Sequence, residues 1–437
     1  MRYPLIFVFA LFLSTVRGQS YFPPSGSSSW DSISPSTLGW CIPQLDSLNQ
    51  FLDTTGTRAF IILVNGRIAH EVYFNGHNQN LPWYWASAGK TVTGFLVGCA
   101  QEDGSLSIND PTSSYLGMGW TSLSASQEQS ITLRHQLTMT SGLDDNVPDP
   151  DCLIDTCLTY LAPAGTRWAY HNAPYRLLQD VVDSAVGPSF QQFTQTRLKD
   201  RIGMGSGTWL NYVFWSRPRD MARFGLLMEN EGIWAGDSVM RDRGFFHDMI
   251  HPSQNLNKSY GYLFWLNGQP SFMVPQIQIV FPGPLIPNAP SNLFAGLGKN
   301  DQKLYILPDE DMVIVRMGDP GLGGNQPVPI AYDVLLWEQL NKVFCGTVGL
   351  QENEDPAKSS YFYPTPTMDR IWFSEGSLPG DVRIFDALGQ ERAIRVEGNA
   401  ISLKDLESGM YWILWHDKGH WHHQTIAVNQ NEYFNRR

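Results

Sequence analysis

The sequence predicts an α+β fold, in which one antiparallel sheet is flanked by helices and carries an inserted helical lobe, followed by a small C-terminal β-sandwich. Two hairpins predict the sheet. Residues 58–74 form two apolar-rich runs around Asn65-Gly66, which is typical of a type I′ turn, and residues 302–317 form a second pair of runs around an acidic turn. Helical patterns fill the chain between the hairpins. Strands at both ends of this segment therefore indicate one sheet built from both of its ends.

Apolar periodicity predicts helices at five places in this part of the chain. A short amphipathic helix is expected over 42–53, and a closing helix is expected over 329–343. Between them, helices are expected from Ser87 onward, over 172–186 and over 220–231.

Composition divides the chain into five segments. The first eighteen residues combine a basic start, a short apolar stretch and small residues at their end, which is typical of a secretory signal. The apolar stretch is too short to span a bilayer, and no later segment reaches spanning length. We therefore expect a secreted or cell-surface protein without a transmembrane segment after processing. The segments are a signal peptide over 1–18, a linker over 19–37, a main domain over 38–345, a second linker over 346–365 and the β-sandwich over 366–437.

The tetrapeptide Ser87-Ala88-Gly89-Lys90 has the clearest chemical meaning in the chain. Residues three positions apart on a helix share one face, so the Lys90 amine can reach the Ser87 hydroxyl. A neutral Lys90 could then take the proton from Ser87 as this side chain attacks a carbonyl. Ser87 would lie near the first helical turn, where the helix dipole favours developing negative charge. The alternative is a plain N-cap serine followed by a solvated lysine.

Residues 170–172, Tyr-His-Asn, supply a third group, because a phenol in the same cleft could relay the proton. The Tyr-x-Asn pattern also begins at Tyr73 and at Tyr433, and Ser107 begins the Ser-x-Asn variant. Position favours Tyr170. Tyr73 precedes the serine, and Ser107 lies just past the Ser87 helix. Tyr433 lies in the polar tail, so Tyr170 is the candidate that can return from a separate lobe.

With both motifs in this order, the chain resembles the serine beta-lactamase and penicillin-binding-protein superfamily. Within it, the chain is most similar to class C-like esterases, D-aminopeptidases and 6-aminohexanoate-oligomer hydrolases. The resemblance covers residues 40–345 and implies an active site between the sheet and the helical lobe. It also implies an acyl-enzyme at Ser87, with Lys90 and Tyr170 as general base and acid. The other matching segments are 131–143, 163–172 and 217–225.

The third motif of that superfamily, Lys-Thr-Gly, is absent from the expected stretch, 294–302. This stretch resembles instead the oligomer-hydrolase form, in which a glycine and the next backbone N–H lie beside the substrate. The similarity implies that Gly298 borders the substrate and that the backbone N–H groups of Ser87 and Lys299 form the oxyanion hole. Asn172 is expected to bind the substrate amide or to hold the catalytic lysine. Because the usual anchor for a lactam carboxylate is missing, we expect poor penicillin hydrolysis.

Composition also excludes some functions. The formal net charge is −12, and an acidic protein is a poor partner for polyanions, so nucleic-acid binding is not expected. His416, His420, His422 and His423 lie close together in sequence, but no recognised zinc spacing accompanies them. We therefore expect neither a metal nor a cofactor.

Five cysteines in an exported chain permit two disulfides and one free thiol. Cys152 and Cys157 bracket a short acidic loop that a bridge could close. The resemblance implies that the helices next to Cys41 and Cys345 pack together, which would allow a second bridge. Cys99 is expected to be a buried thiol on the apolar face of its helix. The pattern alone leaves the connectivity open.

The tail from residue 366 resembles the C-terminal sorting domain of type IX secretion cargo in Bacteroidota. This resemblance implies the type IX secretion machinery as a partner. Two features differ from the usual pattern, since Thr425 replaces the lysine before the last strand and the chain continues to residue 437. The alternative is a carbohydrate- or surface-binding sandwich. The matching residues are Asp386, Gly389, Leu406, Gly409 and Tyr411.

The preferred hypothesis is an exported serine hydrolase that cleaves an ester or amide bond in a small molecule or peptide. The alternatives are a low-turnover penicillin- or peptidoglycan-binding protein and a true beta-lactamase. Esters, D-peptides, amide oligomers and lactams all fit one Ser-Lys-Tyr site, so the sequence leaves the substrate open.

Overall fold

The computed structural model confirms the α+β architecture predicted from the two hairpins. The predicted signal peptide and almost all of the predicted linker over 346–365 lie outside the described residues. The structure describes residues 20–26, 29–276, 278–321, 330–345, 362–363, 369–374, 377–386, 391–407, 409–417 and 420–428. The helices are α1 Ile42–Thr54, α2 Lys90–Glu102, α3 Ser113–Leu116, α4 Ala125–Gln129, α5 Leu133–Leu137, α6 Asn172–Val186, α7 Phe190–Thr194, α8 Asp200–Ile202, α9 Pro218–Glu229, α10 Arg243–Met249 and α11 Ile330–Phe344.

The strands up to residue 318 include one long sheet and several two- to four-residue strands beside the helices. They are β1 Thr57–Val64, β2 Arg67–Tyr73, β3 Trp83–Tyr84, β4 Thr208–Leu210, β5 Val213–Ser216, β6 Ile233–Trp234, β7 Asp237–Ser238, β8 Trp265–Leu266, β9 Ser271–Phe272, β10 Phe281–Pro282, β11 Phe294–Gly298, β12 Gln302–Leu307 and β13 Met312–Gly318.

The main sheet joins strands from both ends of this segment. Its six strands run in the order β2-β1-β13-β12-β11-β8, and all its pairs are antiparallel. In the central pair, Ile62 of β1 lies opposite Ile314 of β13. The tight turn between β1 and β2 has positive φ angles at Asn65 and Gly66, as the type I′ prediction requires. The prediction of a sheet built from both ends is therefore confirmed.

Helices cover the sheet and build the lobe. α9 packs on β12 and β13, and Gly225 lets it approach closely, because a Cβ there would lie 2.4 Å from Val313 Cγ1. α2 packs against α6 and α10, and every residue from Lys90 to Ala100 is buried. A helix that is buried all round lies inside a domain rather than on its surface. α2 therefore begins deep in the protein, and its first residue is Lys90.

Two disulfides close this part of the chain. Cys41, just before α1, is bonded to Cys345, just after α11, and these two helices pack together. Cys152 and Cys157 are bonded as well. Both candidate pairs are thus confirmed, and Cys99 is a buried free thiol as expected.

The described part of the segment predicted as a linker over 19–37 packs on the sheet edge. Trp30 Nε1 donates a 2.8 Å hydrogen bond to the carbonyl of Gly66, and the Ile33 N–H donates to the carbonyl of Ile68. Arg223 of α9 donates to the carbonyl of Pro23. The Ser-, Pro- and Gly-rich composition of this segment predicts a linker and does not reveal these contacts. Most of them involve backbone carbonyls and one tryptophan, and composition does not specify the partners of backbone groups.

The C-terminal region contains a second, β-rich core. Its described strands form two four-stranded sheets. Ile371, Ile401 and Ile413 pack inside it, and Trp412 contacts Phe281 of the main core. None of the described helices is long and apolar enough to cross a membrane. The strands of the C-terminal region are β14 Phe362–Tyr363, β15 Arg370–Phe373, β16 Asp381–Phe385, β17 Glu391–Arg392, β18 Arg395–Glu397, β19 Ala400–Ser402, β20 Gly409–Asp417 and β21 His420–Val428. They pair in the orders β14-β15-β19-β18 and β17-β16-β20-β21.

Candidate active site

Ser87 lies on a short 3₁₀ turn, Ala86–Gly89, that leads into α2. The residue before this turn is firmly held, because Trp85 is fully buried and its Nε1 donates a 2.8 Å hydrogen bond to Ser216 Oγ. Ala86 then adopts a positive φ of 47°, which is unusual for a residue with a Cβ. Such strained positions cluster at functional sites. The Ser87 side chain itself is only partly buried, so a ligand can reach it.

The Lys90 amine touches the Ser87 hydroxyl. Nζ donates a 2.8 Å hydrogen bond to Ser87 Oγ and a 2.9 Å hydrogen bond to Asn172 Oδ1. Lys90 is 2% exposed, and burial lowers its pKa well below the ordinary value. The positive charge of Arg176 lowers this pKa further, whereas Asp151 opposes the shift. A lowered pKa makes the neutral amine available as a base near neutral pH.

Tyr170 reaches the same place from the segment before α6. Its ring centre lies 4.7 Å from Lys90 Nζ, and the ring of Trp265 stacks on it at 5.5 Å. Burial raises the pKa of the Tyr170 phenol, while hydrogen bonding to Ser87 and Trp265 partly opposes this increase. The phenol therefore holds its proton at neutral pH and can donate it.

Asn172, at the start of α6, uses both ends of its amide within the protein. Its Oδ1 accepts from Lys90, and its Nδ2 donates a 2.8 Å hydrogen bond to Asp151 Oδ1. Asp151 in turn pairs with Arg176 at 3.2 Å. Of the two roles expected for Asn172, this geometry matches the one in which it holds the lysine.

The structure brings the backbone of Gly298 against the Ser87 turn. β11 runs beside this turn, and a Cβ on Gly298 would lie 2.5 Å from the carbonyl oxygen of Trp85 and 3.0 Å from the Ala88 nitrogen. Only glycine permits so close an approach. Lys299 follows directly, with an exposed side chain, and begins a short 3₁₀ turn. Gly298 and Lys299 thus lie next to the cleft that holds Ser87.

Three neighbours of this cleft belong to neither motif. They are Asp151, Tyr175 and Trp265. Asp151 lies in a loop with several other acids, so its sequence position did not distinguish it. Tyr175 could have been found, because it lies three residues after Asn172 on α6 and therefore on the same face. Trp265 comes from the edge strand β8, and only the tertiary fold brings it to Tyr170.

The described part of the chain contains no group of three or more His, Cys, Asp or Glu side chains that could hold a metal ion. The reactive side chains that meet in the cleft are those of Ser87, Lys90 and Tyr170. A hydroxyl, an amine of lowered pKa and a protonated phenol meet there, and this set can perform nucleophilic attack with proton transfer.

Comparisons with known proteins show the family and the fold of this chain. The family model described as Beta-lactamase matches residues 50–318. An uncharacterized protein of Alkalihalophilus pseudofirmus is 28% identical over 308 residues, which cover 61% of this chain and 85% of that protein. Two solved structures share the fold. A candidate 6-aminohexanoate-dimer hydrolase from Bacillus anthracis has a TM-score of 0.54 at 20% identity, and covers 76% of this chain and 90% of its own. A candidate beta-lactamase from Bacteroides dorei has a TM-score of 0.55 at 16% identity, and the match covers 70% of this chain and 99% of that protein. The family model matches more than half of the residues of this chain, so the chain belongs to the beta-lactamase family.

Proposed function

We propose that this protein is an exported serine hydrolase that cleaves an ester or amide bond through an acyl-enzyme at Ser87. One observation carries the proposal. The buried Lys90 amine, with its pKa lowered, lies 2.8 Å from Ser87 Oγ. A serine hydroxyl is a weak nucleophile until a neighbouring base takes its proton, and this amine is placed to do so.

The proposed reaction has two halves. In the first, Ser87 Oγ attacks the substrate carbonyl while Lys90 takes the hydroxyl proton. The Tyr170 phenol donates a proton to the leaving alcohol or amine and regains one from Lys90 through the hydrogen-bonded cluster. In the second half, water attacks the acyl-enzyme with the proton transfers reversed, and Ser87 leaves with its proton restored.

The backbone N–H groups of Ser87 and Lys299 are the proposed oxyanion donors. The close contact between Gly298 and the Ser87 turn supports this assignment, because it brings the two backbone segments together. Each such donor contributes about 10²- to 10³-fold in rate.

The proposed substrates are esters, D-peptides or amide oligomers rather than penicillins. The absence of Lys-Thr-Gly from residues 294–302 supports this preference, since that motif usually anchors the lactam carboxylate. The competing possibility is a penicillin- or peptidoglycan-binding protein that acylates once and turns over slowly. A stoichiometric burst of product without further turnover would favour that possibility.

Export is proposed from the signal-like first eighteen residues, and the two disulfides support it, because such bonds persist mainly in oxidising compartments. We also propose that residues 366–437 act as a type IX sorting domain. The test is expression of the full chain and of a chain ending at residue 365 in a Bacteroidota host that has this secretion system. Equal export of both chains would contradict the sorting role.

The hydrolase proposal is tested with a p-nitrophenyl ester. Ser87→Ala is expected to lower kcat/KM by at least about 10³-fold, because the nucleophile is lost. Ser107→Ala is the matched control, since Ser107 is also partly buried and begins the alternative Ser-x-Asn pattern. Activity that survives in Ser87→Ala would refute the proposal.

A further inference from the structure

Four interactions hold Asp151 and its immediate neighbours in place. Its backbone N–H donates to Asp149 Oδ1, and its carboxylate pairs with Arg176 of α6. The carbonyl of the preceding Pro150 accepts from the Ala173 N–H in the first turn of α6. The disulfide to Cys157 begins at the very next residue, Cys152. The acidic loop is thus fastened to the helix that carries Asn172.

We propose that Asp151 is a positioning residue of the active site, and that the Cys152–Cys157 disulfide keeps it there. It orients the Asn172 amide so that Oδ1 faces Lys90. The inference rests on the proposed hydrolase function and adds a side chain that neither motif contains.

The chemistry of the donors and acceptors makes the orientation unique. A carboxylate only accepts hydrogen bonds, so Asp151 requires the NH₂ end of the Asn172 amide. The carbonyl end must then point to Lys90, whose amine donates to it at 2.9 Å. A flipped amide would place NH₂ against the amine and oxygen against the carboxylate. Without Asp151, the amide is free to flip, and Lys90 loses its fixed position over Ser87.

Asp151 also acts on Lys90 through charge. Its negative charge raises the pKa of the amine and opposes the positive charge of Arg176. Removing only this negative charge leaves Arg176 unopposed, so the pKa of Lys90 decreases further. Because neutral Lys90 is the proposed base, the rate should rise with pH as Lys90 loses its proton. This rise is the acid limb of the pH–rate profile, and it should then move to lower pH. The titratable or charged side chains that face the amine are Asp151, Arg176, Tyr170 and Tyr175.

Two substitutions separate orientation from charge. Asp151→Ala removes both, and is expected to slow labelling of Ser87 by a fluorophosphonate probe about tenfold or more, because small misplacements of catalytic groups are costly. Asp151→Asn retains an oxygen that can accept from Asn172. It should keep the maximal labelling rate within a few-fold of the original protein, while its acid limb moves down by about half a pH unit. A purely structural role would not move this limb.

The disulfide is tested with Cys152→Ala/Cys157→Ala. Its labelling rate should fall, as that of Asp151→Ala does. Adding Asp151→Ala to this variant should cause little further loss of rate, because both changes remove the same positioning of Asn172. Cys41→Ala/Cys345→Ala is the matched control, since that bridge joins α1 and α11. It should label at the original rate at a temperature where it stays folded.

The outcomes distinguish this inference from the proposed function. If the unaltered protein does not label at Ser87, the hydrolase proposal fails. If it labels, but Asp151→Ala keeps both the rate and the acid limb, the positioning role is wrong. If Asp151→Asn and Asp151→Ala slow the labelling of Ser87 equally, and the acid limb does not shift in either variant, then Asp151 does not act through orientation and charge, and the inference is likewise refuted. Circular dichroism of each variant shows that it is folded.

Discussion

The amine nitrogen of Lys90 lies 4.1 Å from the centre of the Tyr175 ring. The face of an aromatic ring attracts a positive charge, so this contact favours the protonated amine. Burial has the opposite and larger effect, and the pKa of Lys90 is lowered overall. Tyr175 thus limits how far the pKa of the proposed base falls.

Removal of this ring should change the pH dependence of the reaction. Tyr175→Leu loses a cation–π contact of about 0.5–2 kcal/mol, which corresponds to about one pKa unit. We expect the acid limb of kcat/KM for ester hydrolysis to move to lower pH in this variant. Tyr175→Phe keeps the ring and is the control, so its limb should stay near that of the unaltered protein. Equal shifts in both variants would show that the phenol hydroxyl, and not the ring face, sets the effect.

Gly298→Ala should damage both stability and activity. The new Cβ would lie 2.5 Å from the carbonyl oxygen of Trp85, so β11 and the Ser87 turn must separate. We expect a loss of about 1–3 kcal/mol in the free energy of unfolding. Displacement of the proposed oxyanion donors should also lower kcat by about tenfold or more. Gly380→Ala is the control, because a Cβ at this exposed glycine meets nothing within 4 Å. Denaturant titration and ester hydrolysis measure the two effects, and a Gly298→Ala variant as stable and active as the control would contradict the close approach.

His171 should make the protein less stable in acid. It is 2% exposed, neither ring nitrogen has a hydrogen-bond partner among the described residues, and burial lowers its pKa from 6.5 to about 4. Between these pH values the unfolded chain binds a proton that the folded protein does not. The free energy of unfolding therefore falls as pH falls, by up to about 1.4 kcal/mol per pH unit from this residue.

The measurement is urea unfolding at several pH values across this range, for the unaltered protein and for His171→Gln. Other groups titrate in both proteins, so the difference between them isolates the histidine. We expect the free energy of unfolding of the unaltered protein, minus that of His171→Gln, to decrease as pH decreases. A difference that does not change with pH would mean that His171 is protonated in the folded state as readily as in the unfolded chain.

Local patterns predicted the elements that local physics determines. The Asn65-Gly66 pair specified the first hairpin, because a type I′ turn needs a positive φ at both central positions and few residue types adopt one readily. The spacing of Ser87 and Lys90 predicted their contact, because one helical turn brings such residues together. The bounds of α6 also agree with the predicted range, 172–186.

Contacts made by tertiary packing were not predictable in the same way. Asp151 reaches Asn172 only because its loop folds back over α6. Trp265 meets Tyr170 only because β8 pairs at the edge of the main sheet, next to β11. Neither side chain lies at a fixed sequence distance from the residue that it touches, so no motif could contain it.

The central claim is that a covalent intermediate forms on Ser87 during turnover. It is tested most directly by mixing the protein with a p-nitrophenyl ester, quenching with acid during the reaction and measuring the intact mass and its peptide map. We predict a mass increase equal to one acyl group, located on the peptide that contains Ser87 and absent from Ser87→Ala. An acyl group on a different residue, or steady turnover with no covalent adduct at Ser87, would contradict the account.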